Sequence, residues 1–287
     1  PAAKVRPAVA MIMPDDSEPN WIYQHDALRG AQQRARELGW DLLVEHWNPQ
    51  VRHFLGRDHL VGAILAMRPD ADRLSEIPAW VPLCLIHHEG DDPRYDVVNA
   101  DEAQGIAAAV AHLVEMGHRR IGYLGYVPPA RVRRGYQHDV RPQAFRAACA
   151  AQGLTLRDND CQFQQTEMLP SETFVTIAER LATWMATDDP PSALLCYHDG
   201  LAGQVHGAAL QLGVRIPHDL SLMAVSAVGL APHLVPALST IEQDNEGIGR
   251  AAVNCLHDRP HGAARRGPYR VTCQSAVIQR GSVLRFS

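Results

Sequence analysis

Short apolar runs alternate along the chain with longer segments in which apolar residues recur at helical spacing. Ala8–Met13 is continuously apolar and ends at Pro14, which is typical of a buried strand. Asp26–Leu38 then places its apolar residues on one helical face and ends at Gly39, the residue type that most often follows a helix. The same pattern predicts strands at Asp41–Glu45, Val61–Ala66, Pro82–Ile86, Arg120–Leu124, Gln162–Gln164, Ala193–Tyr197, Leu220–Val225 and Thr272–Gln279. It also predicts helices at Asp101–Glu115, Val140–Gln152, Leu201–Leu212 and Glu246–Leu256, and one that Ser171 caps and that ends at Met185.

This alternation of strands and helices predicts an α/β fold. Most of the predicted strands are apolar throughout, as expected for parallel strands that connecting helices bury on both faces. Right-handed crossovers make each half of the chain a doubly wound parallel sheet. The sequence therefore predicts two such sheets with a cleft between them, and ligands of such sheets bind beyond the carboxyl ends of the strands.

Composition narrows the classes of function. The net charge of −5 argues against direct binding of nucleic acid by these 287 residues, because phosphate binding needs a clustered excess of Lys and Arg. Apolar runs are too short to cross a bilayer, so we expect no membrane association. The six cysteines form no C-x-x-C pair and most lie in apolar segments. Buried, reduced thiols are expected, as in a cytoplasmic protein.

Four blocks of sequence carry a resemblance to a known family. The most informative block, within Val98–Gly125, contains Asp101, Gly105, His112, Leu113, Gly117, His118, Arg119, Arg120, Ile121 and Gly125. The others lie in residues 199–221, in residues 236–244 and at the closing Ile278–Ser282. In order and spacing, from about residue 8 to the end, the blocks resemble the lactose-repressor (LacI/GalR) family of bacterial transcription regulators.

The resemblance implies a fold like that of periplasmic sugar-binding proteins, with two subdomains and three chain crossings. Residues 5–99 with 244–270 would form the N-terminal subdomain, and residues 100–243 with 271–287 the C-terminal one. The crossings would fall near Asn99–Asp101, Gln243–Asp244 and Tyr269–Thr272.

The resemblance also implies a homodimer that binds a small effector in the cleft and couples it to DNA binding by an attached headpiece. A ligand shifts such an equilibrium only by its different affinities for the two states. No helix-turn-helix pattern precedes Val5, so we expect the headpiece, of that type or another such as a winged helix, to be absent from this chain.

Family matching assigns the principal effector contacts. Arg141, before Ala144 and Phe145, matches the effector Arg of R-x-x-G-F, although a surface Arg at a helix start is the alternative. A guanidinium can hold two hydroxyls or a carboxylate in a fork. His198–Asp199 replaces the family's Asn-Asp, and we expect Asp199 to cap the next helix while His198 points into the cleft.

The remaining expected contacts match the family less closely. Ser226 lies where the family has the first Asp of G-[FY]-D-D, and His87 lies where it has a strand-end Asp. Gln243 occupies the late crossing, and Met168 falls near a position that is often aromatic. Trp21 and Tyr23 lie in the loop after the first strand, either as a platform for the ligand or in ordinary packing.

These departures make the expected site less acidic than a typical sugar site. A buried sugar needs several acceptor groups, because each unpaired buried hydroxyl is costly. We therefore expect a sugar derivative with fewer hydroxyls, or an acidic metabolite whose negative charge suits Arg141 and the histidines.

Other classes of protein fit the sequence less well. No H-E-x-x-H or Cys/His cluster is present, so we expect no metal and no cofactor. Ser226, His198 and Asp199 could suggest a hydrolase, but the G-x-S-x-G elbow is missing and we expect no enzyme. The stronger alternative is a periplasmic solute-binding protein of the same fold, which would follow a secretory signal instead of a DNA-binding headpiece.

Overall fold

The computed structural model describes residues 6–14, 22–57, 59–66, 71–88, 92–127, 140–165, 170–226, 229–259 and 267–286. The chain divides into two compact units, the first of residues 1–100 and 244–273 and the second of residues 101–243 and 274–287. The first two predicted crossings coincide with these boundaries, at Ala100–Asp101 and Gln243–Asp244. The third boundary lies after Cys273, later than the predicted Tyr269–Thr272.

Strands and helices alternate as the sequence predicts. The first part of the chain contains β1 (Ala8–Met13), α1 (Ile22–Glu37), β2 (Asp41–His46), α2 (Val51–Leu55), β3 (Leu60–Leu65), α3 (Ala71–Glu76), β4 (Leu83–Ile86) and β5 (Tyr95–Ala100). It continues with α4 (Glu102–Glu115), β6 (Ile121–Val127), α5 (Val140–Ala151), β7 (Cys161–Gln165), α6 (Pro170–Met185), β8 (Ala193–Cys196), α7 (Asp199–Leu212), β9 (Ser221–Val225), β10 (Ser239–Gln243), α8 (Asn245–His257), β11 (Arg270–Cys273) and β12 (Ser275–Ile278).

In the first unit, six parallel strands lie in the order β11-β5-β4-β3-β1-β2. Apolar residues of α1 and α8 cover one face of this sheet, and residues from α2 and the segment around α3 cover the other. Burial on both faces explains why β1 is apolar at every position.

The second unit repeats this arrangement with the order β12-β10-β9-β8-β6-β7. Helices α4 and α5 pack on one face, and α6 and α7 on the other. The predicted class of two doubly wound sheets is confirmed, with one correction: β12 pairs antiparallel with β10.

Two further predictions about local structure are wrong, and two strands were missed. The single strand Thr272–Gln279 is two strands, because β11 pairs with β5 in the first sheet while β12 pairs with β10 in the second. Strands β5 and β10 were not predicted, since polar residues interrupt their apolar pattern. Helix α6 begins at Pro170, a favoured residue for a first helical turn, so Ser171 lies inside the helix rather than capping it.

The buried carboxylate of Asp96 shows how a polar residue is accommodated in β5. Asp96 is fully buried, and its oxygens accept hydrogen bonds from Arg259 Nε at 2.8 Å and from the backbone N–H of Tyr269 at 2.9 Å. A buried charge is tolerated when it is paired and hydrogen-bonded in this way.

Two glycines allow α1 and α8 to pack backbone to backbone in the first unit. A Cβ atom at Gly30 would overlap the backbone carbonyl of Glu246, and one at Gly249 would overlap that of Ala27. No side chain can be added at either position without separating the helices.

Residues of the family-like blocks hold the last residues of the second unit against its sheet. His118 is buried, with Nε2 3.1 Å from the carbonyl oxygen of Leu284 and Nδ1 2.9 Å from Ser192 Oγ. Ser282 Oγ donates to the carbonyl of Leu222 at 2.6 Å, and Arg280 Nη1 donates to the carbonyl of Leu238 at 2.8 Å. These residues therefore have a structural role in the second unit.

All six cysteines are free thiols, four of them buried. Within the described ranges, we find no helix with the length and apolar character that a transmembrane span requires.

Candidate functional site

Polar groups gather at the carboxyl ends of the central strands of the second sheet. Strand β6 lies between β7 and β8, so the connections that follow β6 and β8 lead to opposite sides of the sheet. Such a reversal leaves a crevice above the two strands, where doubly wound sheets bind their ligands. Five residues around this point are called the second-sheet site below: Glu102, Arg141, Tyr197, His198 and Gln243.

Arg141 is the central residue of the second-sheet site. It lies in the first turn of α5, and its side chain is only 10% exposed. Its Nε and Nη2 donate to the two carboxylate oxygens of Glu102, the latter at 2.8 Å. Burial alone would lower the pKa of Arg141, but attraction by Glu102 outweighs burial and holds the pKa well above its ordinary value. The alternative of a surface Arg at a helix start is therefore wrong.

Glu102 was not predicted, although it joins Arg141 and Gln243 in the site. It is the first residue of α4, after the cap Asp101, and a helix N-terminus stabilises a negative charge. Its Oε1 also accepts a hydrogen bond from Gln243 Nε2 at 3.0 Å, which places the predicted Gln243 in the same network. An acidic residue at a helix start is so common that nothing in the sequence marked Glu102.

Tyr197 joins Arg141 through its backbone and through its ring. Arg141 Nη1 donates to the Tyr197 carbonyl oxygen at 2.8 Å, and the guanidinium carbon lies 4.3 Å from the ring centroid. A cation over an aromatic face is attracted by the negative face of the ring. Tyr197 was predicted only as the last residue of a strand, and these two contacts place it in the second-sheet site.

His198 takes the capping role that was expected of Asp199. His198 is the cap of α7, because its Nδ1 accepts a hydrogen bond from the N–H of Leu201 at 3.0 Å. Asp199 is the first helical residue, fully buried, and its Oδ2 accepts from the N–H of Leu230 at 2.9 Å. The expectation that Asp199 caps the helix is wrong, since the side chain one residue earlier is already placed to do so.

The environment of His198 fixes its protonation. Burial, and then the positive charge of Arg141, lower the pKa of His198 to about 4. The ring is therefore neutral near pH 7, and because Nδ1 accepts the Leu201 N–H, the ring proton lies on Nε2.

Ser226 directly follows β9, the strand beside β8. Its N–H donates to the carbonyl of Ile241 at 2.9 Å, and the residue is partly exposed. Its hydroxyl thus lies on the same edge of the second sheet, although no contact joins it to the five residues of the second-sheet site among the hydrogen bonds described.

His87 belongs to the first unit, at the end of β4. Its φ of 53° lies in the left-handed region, which costs a residue other than glycine about 1–2 kcal/mol. The next residue is fixed by Asn99, whose side chain both accepts from the His88 N–H at 2.9 Å and donates to the His88 carbonyl at 2.7 Å.

Gln24 in the first unit corresponds to Arg141 in the second. It is buried in α1, the helix after β1, and its Nε2 donates to the carbonyl of Ala66 at 2.8 Å. Ala66 follows β3 as Tyr197 follows β8, so in each unit one side chain ties the two strands at the reversal point. The sequence shows no repeat that would reveal this correspondence.

Three predicted contacts cannot be placed. Trp21 and Met168 lie outside the described residues, and the described part of Tyr23 is limited to its backbone position in α1. No group of three or more metal-ligating side chains occurs in the ranges that the structure describes.

The fold and the comparisons define the class of protein. Two doubly wound units joined by three crossings match a periplasmic-binding-protein-like fold. The chain belongs to the family described as periplasmic binding protein-like domain, whose model matches residues 110–283, more than half of its length.

Individual relatives agree with the LacI/GalR resemblance, which is confirmed. The HTH-type transcriptional repressor PurR of Photobacterium profundum is 26% identical over 249 residues, covering 82% of this chain and 70% of the relative. Matches to other PurR proteins span about half of those relatives' length.

Solved structures show the same fold. A LacI transcriptional regulator from a Rhodococcus species matches with a TM-score of 0.75 and 22% identity, covering 97% of this chain and 98% of that one. The regulator CcpA of Weissella paramesenteroides with bound sucrose has a TM-score of 0.73 and 17% identity, covering 98% of this chain and 100% of the other.

Proposed function

We propose that this chain is the effector-binding part of a bacterial transcription regulator of the LacI/GalR type. The observation that carries the proposal is the cluster of Arg141, Tyr197 and His198 at the reversal point of the second sheet. Curated relatives named as transcriptional repressors support the same conclusion.

The ligand is a small polar metabolite, sugar-like or acidic. Arg141, Gln243 and His198 provide donor groups at the carboxyl ends of the strands, and Ser226 adds a hydroxyl on the same edge. His87 is the proposed contact from the first unit, and Trp21, Tyr23 and Met168 remain proposed contacts on the basis of the family resemblance alone. Asp199 acts indirectly. Its carboxylate accepts the N–H of Leu230 and thereby fixes the start of α7 next to His198.

DNA binding is assigned to a headpiece outside this chain. The chain spans only part of the length of its repressor relatives, which leaves room in those proteins for a separate DNA-binding segment. Ligand binding here changes DNA affinity through its different affinities for two states of the protein.

A homodimer is the proposed assembly. Two large apolar side chains are strongly exposed on the second unit, Leu210 at 78% and Val235 at 83%. They lie on neighbouring segments, since His206 of α7 is hydrogen-bonded through Nε2 to the Val235 carbonyl at 2.7 Å. We propose that these two exposed side chains belong to the surface at which two copies associate.

We propose that the domain binds its ligand without converting it. His198 does not provide a general base, because its Nδ1 accepts the Leu201 N–H at the start of α7 and its Nε2 carries the proton.

Calorimetric titration of the purified chain with a panel of monosaccharides, disaccharides and sugar acids tests the proposal. We expect binding of at least one member, and Tyr197→Leu should weaken it about tenfold or more by removing the ring at the guanidinium. Arg215→Met, which removes an exposed ion pair with Asp219, is the matched control and should bind as the wild type does. Turnover of a bound compound, or equal loss in both variants, contradicts the proposal.

A retardation assay with the full-length protein and DNA upstream of its gene separates regulator from solute-binding protein. A regulator retards the DNA, and the ligand found by titration changes the retardation. Ligand binding without any retardation favours a periplasmic solute-binding protein.

A further inference from the structure

We propose that Glu102 sets the ligand class of the second-sheet site: its ion pair with Arg141 selects an uncharged, hydroxyl-bearing metabolite over the corresponding carboxylate. The inference rests on the proposed function and narrows it. It also reverses the expectation, drawn from the sequence, that a negative charge on the ligand would suit Arg141.

Glu102 already occupies the pair of donor groups, Nε and Nη2, on the Arg141 guanidinium. Both carboxylate oxygens accept from the guanidinium, through Nε and Nη2, and the two side chains are only 16% and 10% exposed. A ligand carboxylate that took these donor groups would leave Glu102 without its cation in a poorly hydrated place. If Glu102 kept its place instead, two carboxylates would share one guanidinium, which is also unfavourable.

His198 adds no positive charge to the second-sheet site. Its Nδ1 accepts the N–H of Leu201, so protonation would abolish the cap of α7. The ring is therefore neutral, with its proton on Nε2, and it adds an N–H group rather than a cation to the site.

An uncharged hydroxyl group of a ligand can bind to Glu102 and Arg141 without breaking their ion pair. A hydroxyl both donates and accepts, so it can donate to a carboxylate and accept from a guanidinium at the same time. Gln243 supplies an amide to the same network through Glu102, and amides also pair with hydroxyls. An ion pair that stays intact on binding avoids the cost of separating two buried charges.

Calorimetric titration with matched pairs tests the inference: glucose against glucuronate, and galactose against galacturonate. For the wild type, we expect the neutral member of a bound pair to have a Kd about tenfold lower or more than its acid. Glu102→Gln keeps the size and acceptor oxygen of the side chain but removes its charge. This variant should shift the ratio of the two Kd values at least about tenfold toward the acid.

Glu242→Gln is the matched control. Glu242 also pairs with an Arg of the second unit, Arg280 at 3.2 Å, yet it belongs to a different ion pair, so its loss should leave the Kd ratio unchanged. Circular dichroism establishes that each variant is folded. If Glu102→Gln does not fold, the wild-type ratio still decides, because tighter binding of the acid overturns the inference.

The remaining outcomes are equally decisive. An unchanged Kd ratio in folded Glu102→Gln assigns Glu102 a purely structural role and overturns the inference, while the proposed function stands. Absence of binding to every member of both pairs and to the wider panel counts against the proposed function itself, and the inference falls with it.

Discussion

Arg141 and Tyr197 are in contact through two different groups at the reversal point of the second sheet. The guanidinium donates to the Tyr197 carbonyl oxygen at 2.8 Å and lies 4.3 Å from the centroid of the same residue's ring. Because Arg141 lies in the first turn of α5 and Tyr197 directly follows β8, this contact ties together the two segments at the reversal point. The start of α5 is therefore held in place by the same groups that we assign to ligand binding.

Removal of Arg141 should destabilise the protein markedly. Arg141→Met leaves Glu102 as a largely buried carboxylate without its cation, and loss of one partner of such a pair costs about 3 kcal/mol or more. Urea denaturation measures the free energy of unfolding. The double variant Arg141→Met/Glu102→Gln should recover part of the loss, because it removes both charges.

Arg215→Met is the control for that series, since Arg215 and its partner Asp219 form an exposed ion pair in the turn after α7. It should change the free energy of unfolding much less. Equal losses in Arg141→Met and Arg215→Met would show that the Arg141 pair is not buried in solution.

Stability should fall as the pH decreases from about 6.5 toward 4. The pKa of His198 is lowered in the folded state to about 4, whereas an unfolded histidine titrates near 6.5. Between these values the unfolded chain binds the additional proton, so the contribution of His198 is complete above pH 6.5 and is lost as the pH falls. The loss amounts to about 3 kcal/mol at most.

His198→Asn isolates that contribution. Asn is also a good helix cap but does not titrate, so the variant should show a shallower decrease in the free energy of unfolding over the same pH range. His118, whose pKa burial also lowers, accounts for part of the remaining slope. Identical pH profiles of wild type and variant would contradict the role given to His198.

Loss of His118 should loosen the last residues of the chain. His118→Ala removes contacts to Ser192 and to the Leu284 carbonyl inside the second unit, at a cost of about 2 kcal/mol. Hydrogen exchange should show faster exchange at residues 282–286, where the N–H of Leu284 is otherwise bonded to Ser221 Oγ at 3.1 Å. Unchanged protection there would show that other contacts suffice to hold this segment.

A methyl group should not be tolerated between α1 and α8. Gly249→Ala forces the added Cβ into the backbone of Ala27 and should destabilise the first unit by about 2 kcal/mol or more. Thermal unfolding measures the effect. Gly267→Ala, whose added Cβ would meet nothing within 4 Å, should change the melting temperature far less, and a similar decrease in both variants would contradict close packing of the helices.

Much of the fold could be predicted from local pattern. Strand β1 has the predicted bounds, and α4 ends at the predicted Glu115 and begins one residue after the predicted Asp101, which caps it, because apolar periodicity and caps act within a few residues. Local pattern does not predict strands that carry buried polar residues. In β5, for example, the partner of the buried Asp96 is Arg259, which is distant in the sequence.

The sequence by itself determined the alternation of strands and helices, the two doubly wound sheets and the position of Arg141 at a helix start. Only the tertiary structure decided what Arg141 contacts, because its partners Glu102 and Tyr197 are 39 and 56 residues away. Periodicity records which face of an element is buried, but it carries no information on which polar groups distant elements bring together. The charge of the site, and with it the class of ligand we propose, therefore depends on pairing that arises only in the folded chain.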